Sequence, residues 1–556
     1  MYVDSRMISR QPLVGLDPLK AGCKSPASIC SDSEVKDTAA SFVFVEETRQ
    51  LRKHPTAIHT TPPDEVDLLL SELLPGEEKQ AIIHNVSLNH PVKLEGVLMV
   101  ITNLRVILNT TPWIEIPLTS ILDVKPPLDI KTKDSRFFQF FSVDKALVKL
   151  LHSLVFAIAP SDLFPLYRKL KSVSSLSPSI FDIDFERARF HVGDAISVSD
   201  LNSDFSVCPT YPRKFILPSA STKDMLMGSS RFRDKARVPI LSWASGASGT
   251  IWRSSQPKSS LLNRSADDEE YIKLTNVMYI IDCRPMLNAY ANIANGAGVE
   301  SLGNYHKGIE LWFAGIQNIH HVRDAWEKMF LLAQQYYSGS SEQHAHWFSG
   351  LETSGWLDLM VSVLRAASVL TEKISEGISV LCRCSHGLDR TPQVVSLAML
   401  ALDPYYRTIS GFAILIEKEW IAMGHRFHSR YCIGQAPHDD VSPIFSQWIE
   451  CVYQLVSQNP DEFEFTPEYL VSILSGAISG RFGNFLFDSE KERIEKGSLS
   501  ISSEVEDSMW PVIWSKRDLY LNHNFERRNT GRKLTIDHRL ASLRIFPDVW
   551  LSHRRI

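Results

Sequence analysis

The stretch ISVLCRCSHGLDRT, which begins at Ile378, constrains the fold of this chain more than any other part of the sequence. The apolar run at its start predicts a short buried strand. A loop that contains Gly387 follows, and Pro392 then opens a segment with an apolar face, where proline suits the first turn of a helix. The stretch therefore predicts a strand, a short loop and a helix, with Cys384 before the loop and Arg390 at its end.

A loop that enters a helix directs several backbone N–H groups at one point, where a phosphate oxygen or a thiolate can bind. The positive end of the helix and a nearby guanidinium lower the pKa of a cysteine, and the thiolate is the nucleophile. Arg390 can hold two phosphate oxygens with its planar side chain. The predicted reaction is attack by Cys384 on a phosphate monoester through a phosphocysteine intermediate. Asp389 is the nearest candidate for the acid that protonates the departing alcohol, and Thr391 could donate a hydrogen bond to the sulfur.

The alternative interpretation of this stretch is purely structural. A cysteine and an arginine at this spacing occur often by chance, as a buried thiol and a surface cation. The strand before the loop, the glycine within it and the helix after it favour the phosphate-binding interpretation.

Composition excludes several classes of protein. The chain has 556 residues, enough for several domains and a large core. The net charge of −5 argues against a general nucleic-acid binder, so no nucleic-acid partner is predicted and any anionic ligand needs a local basic patch. Cys382 and Cys384 form no metal-binding pattern with nearby histidines, so neither a metal nor another cofactor is predicted. The sequence shows no apolar run long enough to span a membrane.

The pattern of apolar, polar and turn-forming residues divides the chain into parts. Short alternating segments between 93 and 141 predict a small antiparallel barrel or sandwich, and 147–167 predicts a helix that closes it. Strands alternate with helices after 181, including strands at 278–282 and 309–313 and one long helix at 347–370, which predicts an α/β sheet. The predicted boundaries are a flexible tail at 1–63, a first domain at 64–171, a Ser/Pro-rich linker at 172–180, a second domain at 181–524 and a basic tail at 525–556.

Several motifs make the sequence recognisable beyond the loop. The residues CSHGLDRT from Cys384 are followed by LDPYYRTI from Leu402, EKEW from Glu417 and GHRF from Gly424. In this order they closely resemble the myotubularin family of phosphoinositide 3-phosphatases, most of all the branch of myotubularin-related proteins 6, 7 and 8. The resemblance covers about 64–524. It implies a cysteine-dependent α/β phosphatase domain, preceded by a GRAM domain with a pleckstrin-homology-like β-barrel.

The resemblance also implies a set of substrate-binding residues. Loop residues are expected to surround the phosphate, two arginines to reach a second phosphate, and two asparagines to contact the loop or the inositol ring. These residues are Ser385, His386, Gly387, Leu388, Thr391, Arg426, Arg430, Asn288 and Asn292. Alternative roles are a buried salt bridge from Arg426 to Glu417 or Glu419, and capping or a polar helix face for Asn292. His425 and His428 are interpreted as packing residues.

The loop departs from the pattern of active relatives, HCSDGWDRT, at three positions. Arg383, His386 and Leu388 replace the histidine, the first aspartate and the tryptophan. His386 could act as an acid near neutral pH. Because Cys384 and Arg390 are both present, the sequence favours an active enzyme with altered rate or preference.

The resemblance implies an enzyme that removes the 3-phosphate from phosphatidylinositol 3-phosphate, and also from the 3,5-bisphosphate. The first alternative is a silent pseudophosphatase that binds phosphoinositide or an active relative as an adaptor. The second is a protein tyrosine phosphatase, which shares the loop chemistry. The expected partners are a phosphoinositide headgroup, a peripheral membrane surface in the cytoplasm such as that of endosomes, and a homodimer or a heterodimer with another myotubularin-related protein. No sustained heptad follows Asn524, so a coiled coil is not predicted.

Overall fold

A computed structural model describes residues 66–551 of the chain with gaps. The gaps are 67–69, 72, 74–75, 92, 112, 142–143, 158–183, 185, 189–190, 246–248, 260–262, 292, 294–297, 339–345, 435–436, 499–507 and 526–531. The predicted N-terminal tail at 1–63 and the predicted linker at 172–180 lie outside the described residues. No helix of the described part combines the length and apolar character needed to cross a bilayer.

The first part of the described chain is an antiparallel sheet followed by a helix. Its strands are β1 (Lys79–His90), β2 (Leu94–Thr102), β3 (Arg105–Leu108), β4 (Ile114–Pro117), β5 (Ile121–Lys125), β6 (Asp129–Thr132) and β7 (Phe137–Phe141), and the helix is α1 (Lys145–Ala157). The seven strands are ordered β4-β3-β2-β1-β7-β6-β5. Apolar side chains of Leu147, Leu151 and Val155 pack into the sheet's own core. The predicted strands are present, whereas the identification of this sheet as a GRAM barrel stays a prediction.

Two lysines of this sheet contact the second part of the chain. The ammonium of Lys133 is buried and donates to the carbonyl oxygens of Thr119, at 2.6 Å, and of Cys432, at 3.1 Å. The ammonium of Lys131 lies over the ring of Phe330, 4.2 Å from its centroid. Both lysines therefore help to attach the sheet to the second part of the chain.

The second part is built on a five-stranded sheet whose middle strand carries the predicted nucleophile. The strands are β10 (Ile240–Ala244), β11 (Thr250–Ser255), β12 (Val277–Asp282), β13 (Glu310–Phe313) and β14 (Ser379–Cys384), after a separate hairpin of β8 (Ile196–Ser199) and β9 (Phe215–Pro218). The order is β10-β11-β14-β12-β13, and β14 runs parallel to both of its neighbours. All of β14 is buried, as expected of a strand covered on both faces by helices. The predicted α/β sheet is confirmed.

Helices enclose this sheet. They are α2 (Lys223–Phe232), α3 (Ala266–Leu274), α4 (Met286–Ala291), α5 (Ile319–Ser338), α6 (Trp347–Ser354), α7 (Trp356–Ser375), α8 (Arg390–Leu402), α9 (Ile409–Ile416), α10 (Phe427–Tyr431), α11 (Ile444–Gln458), α12 (Pro467–Ile478), α13 (Glu490–Glu495), α14 (Met509–Ser515) and α15 (Pro547–Trp550). Helix α8 follows the loop after β14 and is almost wholly buried. The loop therefore joins two fixed elements, a central strand and a core helix.

Two expectations about the chain's course are corrected. The single long helix predicted for 347–370 is two helices, because Gly355 between α6 and α7 has a left-handed backbone with φ of +69°. The predicted basic tail at 525–556 is not separate from the core: Phe546 is fully buried and Trp550 nearly so. The carboxylate of Glu450 on α11 accepts from the Trp550 indole at 2.9 Å and the Phe546 N–H at 3.0 Å. Isolated apolar residues in a basic stretch gave no periodic signal for this packing.

Candidate active site

The loop between β14 and α8 folds back over the sulfur of Cys384. The backbone N–H of Gly387 donates to Cys384 Sγ at 3.2 Å. Gly387 has φ of +70°, a region that glycine occupies at little cost. A Cβ at this position would lie 2.6 Å from the carbonyl oxygen of Ser254 on β11. The close passage of the loop over β11 therefore requires glycine.

Two buried arginines hold the carbonyl group of Gly387. Arg253 donates to this oxygen at 2.8 Å and Arg237 at 3.2 Å. Arg253 is itself fixed by Glu419 at 2.8 Å, and Arg237 by the backbone carbonyl of Met423 at 2.7 Å. The two guanidinium groups thus fix the orientation of the peptide that joins Gly387 to the next residue.

The loop's neighbouring carbonyl groups are held in the same way. The backbone N–H of Gln256 donates to the Ser385 carbonyl at 3.1 Å, and Nδ1 of His425 lies 3.0 Å from the Leu388 carbonyl. The C=O and N–H groups of a trans peptide point in opposite directions. Each of the three peptides whose carbonyl oxygen is held in this way therefore turns its N–H group away from the protein donor. N–H groups with this arrangement hold phosphate oxygens at a helix N-terminus.

The environment of Cys384 favours its thiolate. Burial raises the pKa of this thiol, but the charge of Arg390 and the hydroxyl and backbone N–H of Thr391 outweigh burial, so the pKa lies below its usual value. The Asp389 carboxylate opposes the shift. Thr391 is fully buried, and its hydroxyl has no other hydrogen-bond partner among the described residues. A cysteine in such surroundings can serve as a nucleophile.

The guanidinium of Arg390 is available for an anion. It donates to the carbonyl of Ile316 at 3.2 Å and to the hydroxyl of Ser385 at 3.4 Å. No carboxylate within the described part of the chain lies at ion-pair distance from it. Its charge therefore has no carboxylate counterpart among the described residues, which leaves it available for an anionic ligand.

Asp389 is held by the guanidinium of Arg430 and the imidazole of His425 instead of facing an open position. Arg430 donates to both of its oxygens, at 2.9 Å and 2.8 Å, and Nδ1 of His425 lies 3.3 Å from one of them. Burial raises the pKa of Asp389, but Arg430 and His425 outweigh it and hold the pKa well below its usual range. This arrangement disfavours the predicted role of Asp389 as proton donor, because an acid must carry a proton near neutral pH.

The two arginines predicted to reach a second phosphate differ in their surroundings. Arg430 is buried and occupied by Asp389. Arg426 is about one-third exposed and contacts Asp440 at 3.1 Å and Asp488 at 3.4 Å. The alternative pairing of Arg426 with Glu417 or Glu419 is not observed. A second phosphate at this position would have to compete with these carboxylates.

The remaining predicted residues have different surroundings. His386 is exposed, and its Nε2 lies 3.2 Å from a carboxylate oxygen of Asp234. Leu388 is buried. Asn288 is exposed on α4, and Asn292 lies outside the described residues. Among the described residues, no group of three or more histidine, cysteine, aspartate or glutamate side chains is arranged to hold a metal ion.

Arg383, one of the three departures from the usual pattern, does not approach the nucleophile. Neighbouring side chains of a strand point to opposite faces, so Arg383 projects away from Cys384. It is fully buried and pairs with Asp282 at 2.7 Å and with Glu300. Glu300 also pairs with Arg233 at 2.7 Å, so the charge of Arg383 is neutralised beneath the sheet.

Sequence reasoning missed the residues that hold the loop in place. Arg237 and Arg253 lie outside the motifs that the sequence analysis singled out. Arg253 carried a usable signal, because a charged residue within an apolar strand needs a buried partner. His425 does pack against Trp420 and Phe427, as predicted, but its contact with Asp389 depends on the tertiary fold.

Known proteins resemble much of this sequence. The family model of the myotubularin-like phosphatase domain matches residues 165–494, more than half of the chain. The chain is 40% identical over 356 residues to mouse phosphatidylinositol-3-phosphate phosphatase MTMR7, covering 62% of this chain and 53% of the relative. It is 40% identical over 368 residues to mouse phosphatidylinositol-3,5-bisphosphate 3-phosphatase MTMR6, covering 64% and 58%. It is also 40% identical over 344 residues to the chicken phosphatidylinositol-3,5-bisphosphate 3-phosphatase MTMR8, covering 60% and 53%.

The chain thus spans somewhat more than half the length of the curated relatives it matches. The matched region contains the central sheet, the loop after β14 and the helix that follows it. On the extent of the family match, this chain belongs to the myotubularin family, with a myotubularin-like phosphatase domain.

Proposed function

We propose that this chain removes the 3-phosphate from phosphatidylinositol 3-phosphate through a phosphocysteine intermediate. The observation that carries the proposal is the loop around Cys384. Its carbonyl groups are fixed by protein donors, its amides are turned the other way, and the Arg390 guanidinium beside it has no carboxylate partner among the described residues. Such a site stabilises a dianionic phosphate and the charge that develops in the transition state.

In the proposed reaction, the thiolate of Cys384 attacks phosphorus and Arg390 holds two of the phosphate oxygens. The Gly387 N–H stabilises the thiolate before attack, and Ser385 orients Arg390. Thr391 is positioned to stabilise the sulfur when water later cleaves the phosphocysteine. The relatives described above are named for the monophosphate and for the 3,5-bisphosphate, which supports this substrate class.

The ion pair between Arg430 and Asp389 affects which of these two substrates the site prefers. Its pairing with Asp389 leaves the site arranged for a single phosphate. A bisphosphate could bind through Arg426 and Arg430 only if both exchanged their carboxylate partners for the second phosphate. We therefore propose phosphatidylinositol 3-phosphate as the preferred substrate and the 3,5-bisphosphate as a secondary one.

The N-terminal sheet is proposed to be a GRAM domain. The buried contacts of Lys133 and Lys131 support a structural role, in which the sheet packs on the phosphatase domain, over direct lipid docking. Peripheral association with a cytoplasmic membrane such as that of endosomes, and pairing with itself or with another myotubularin-related protein, follow from the proposed substrate and the family alone.

The test is phosphate release from short-chain phosphatidylinositol 3-phosphate by the wild type and by Cys384→Ser. Cys451→Ser, which alters a buried thiol on α11, is the matched control and is expected to remain active. Equal release by the wild type and Cys384→Ser would contradict the proposal and leave the adaptor role. Release from a phosphotyrosine peptide but not from the lipid would favour the tyrosine phosphatase alternative.

A further inference from the structure

An enzyme that expels an inositol alkoxide needs a protonated group at the site, and Asp389 is poorly suited to this role. Arg430 binds both of its oxygens and His425 contacts one of them. These neighbours hold the pKa of Asp389 well below its usual range. A monophosphate offers no second phosphate to displace Arg430. With that substrate, the proton for the departing oxygen should come from another residue.

His386 is a second titratable side chain of the loop, and it takes no part in the ion pair between Asp389 and Arg430. The peptide that joins His386 to Gly387 donates its N–H to Cys384 Sγ at 3.2 Å. The Cα of His386 is therefore bonded to the peptide group that contacts the nucleophile. Nearly half of the side chain is exposed, so the imidazole can exchange protons with water between turnovers. It also occupies the position of the first aspartate in the usual family pattern.

Asp234 orients this imidazole. One of its carboxylate oxygens lies 3.2 Å from His386 Nε2, which leaves Nδ1 for the substrate. The same carboxylate is fixed by the backbone N–H of Lys235 at 2.8 Å and by the side-chain amide of Gln256 at 3.3 Å. A carboxylate on one ring nitrogen selects the tautomer and stabilises the imidazolium.

The charged groups around His386 are few within the described residues. Asp234 is the charged group that contacts it from the segment after α2, and the end of β11 contributes the uncharged Gln256. Its own loop contributes Cys384 and Asp389, and Arg390 follows at the start of α8. Asp234 is therefore the charged group in direct contact with the imidazole.

We propose that His386 is a catalytic residue that protonates the departing inositol oxygen, and that Asp234 is its positioning residue. This inference rests on the proposed hydrolysis of phosphatidylinositol 3-phosphate. In the first step, the S–P bond to Cys384 forms and the bond between phosphorus and the inositol oxygen breaks. The electron pair stays on that oxygen, which takes the proton from the imidazolium. In the second step, water attacks phosphorus and gives its proton to the neutral imidazole, and the S–P bond breaks to regenerate the thiolate.

The test compares two leaving groups. Short-chain phosphatidylinositol 3-phosphate expels an alkoxide and needs an acid, whereas para-nitrophenyl phosphate expels a stable phenolate and does not. His386→Asn is expected to lower kcat for the lipid about 10²-fold, within the usual contribution of general acid catalysis, and to affect the aryl phosphate much less. The ratio of the two rates should therefore fall.

The other variants separate catalysis from structure. Asp234→Asn should lower the same ratio by a smaller factor, and Asp389→Asn should leave the ratio unchanged. His84→Asn, an exposed histidine on β1, is the matched control. For the wild type, kcat/KM on the lipid should fall on the alkaline side of the pH profile, and this fall should be absent in His386→Asn.

The outcomes are distinguishable. A wild type that hydrolyses neither substrate contradicts the proposed function itself. Hydrolysis of both substrates with an unchanged ratio in His386→Asn overturns only the assignment of His386. A fall in the ratio for Asp389→Asn, with none for His386→Asn, would return the role of acid to Asp389.

Discussion

Replacing Gly387 with alanine should abolish most of the phosphatase activity at a modest cost in stability. The left-handed backbone at this position, with φ of +70°, costs an alanine about 1 kcal/mol. The new Cβ would also lie 2.6 Å from the Ser254 carbonyl oxygen and 3.1 Å from its carbon, which is too close for backbone atoms. The loop must therefore move away from β11, and the Gly387 N–H leaves the sulfur of Cys384. Loss of one such donor lowers kcat by roughly 10²- to 10³-fold.

Gly355→Ala provides a matched control for this experiment. Gly355 has nearly the same backbone, with φ of +69°, but nothing lies within 4 Å of the position of its Cβ. Urea unfolding should show a loss of about 1 kcal/mol in Gly355→Ala, from the backbone alone, and a larger loss in Gly387→Ala, where the clash with Ser254 adds to it. Phosphate release from phosphatidylinositol 3-phosphate should fall only in Gly387→Ala. Near wild-type activity in Gly387→Ala, or an equal loss in Gly355→Ala, would refute the reasoning.

Two further predictions concern the pH dependence of stability. Burial raises the pKa of Glu450 to about 7, above its ordinary value of 4.5, so the folded state binds this proton more tightly. The stability that protonated Glu450 contributes is complete below pH 4.5 and is lost, by roughly 3 kcal/mol, as the pH rises through 7. Urea unfolding at a series of pH values should therefore show the wild type losing stability relative to Glu450→Gln. Burial lowers the pKa of Lys133 from 10.5 to about 8, so the unfolded state binds that proton more tightly. The unfolding free energy of the wild type should therefore rise relative to Lys133→Met between pH 8 and pH 10.5, and a flat difference in either series would contradict the assigned burial.

The sequence by itself determined the local elements of the site. The apolar run before Cys384, the glycine in the loop and the proline at the start of the next segment predicted strand, loop and helix, because each signal acts on its own few residues. The observed strand ends at Cys384 and the helix begins at Arg390. The short strands of the first domain and the α/β order of the second were equally legible, since hydrophobic periodicity reports which face of an element is buried.

Only the tertiary structure decided which groups surround the loop and what charge they carry. Asp389 was the candidate acid because it is the nearest one in the sequence of the loop. The fold brings Arg430 against it, and the pKa of a carboxylate depends on such neighbours more than on its own position in the chain. Arg253, which fixes the Gly387 carbonyl, and Trp550, which joins the C-terminal segment to the core, make contacts across long sequence separations. Periodicity carries no information about such pairs, because they are selected by the packing of whole elements rather than by residues close in sequence.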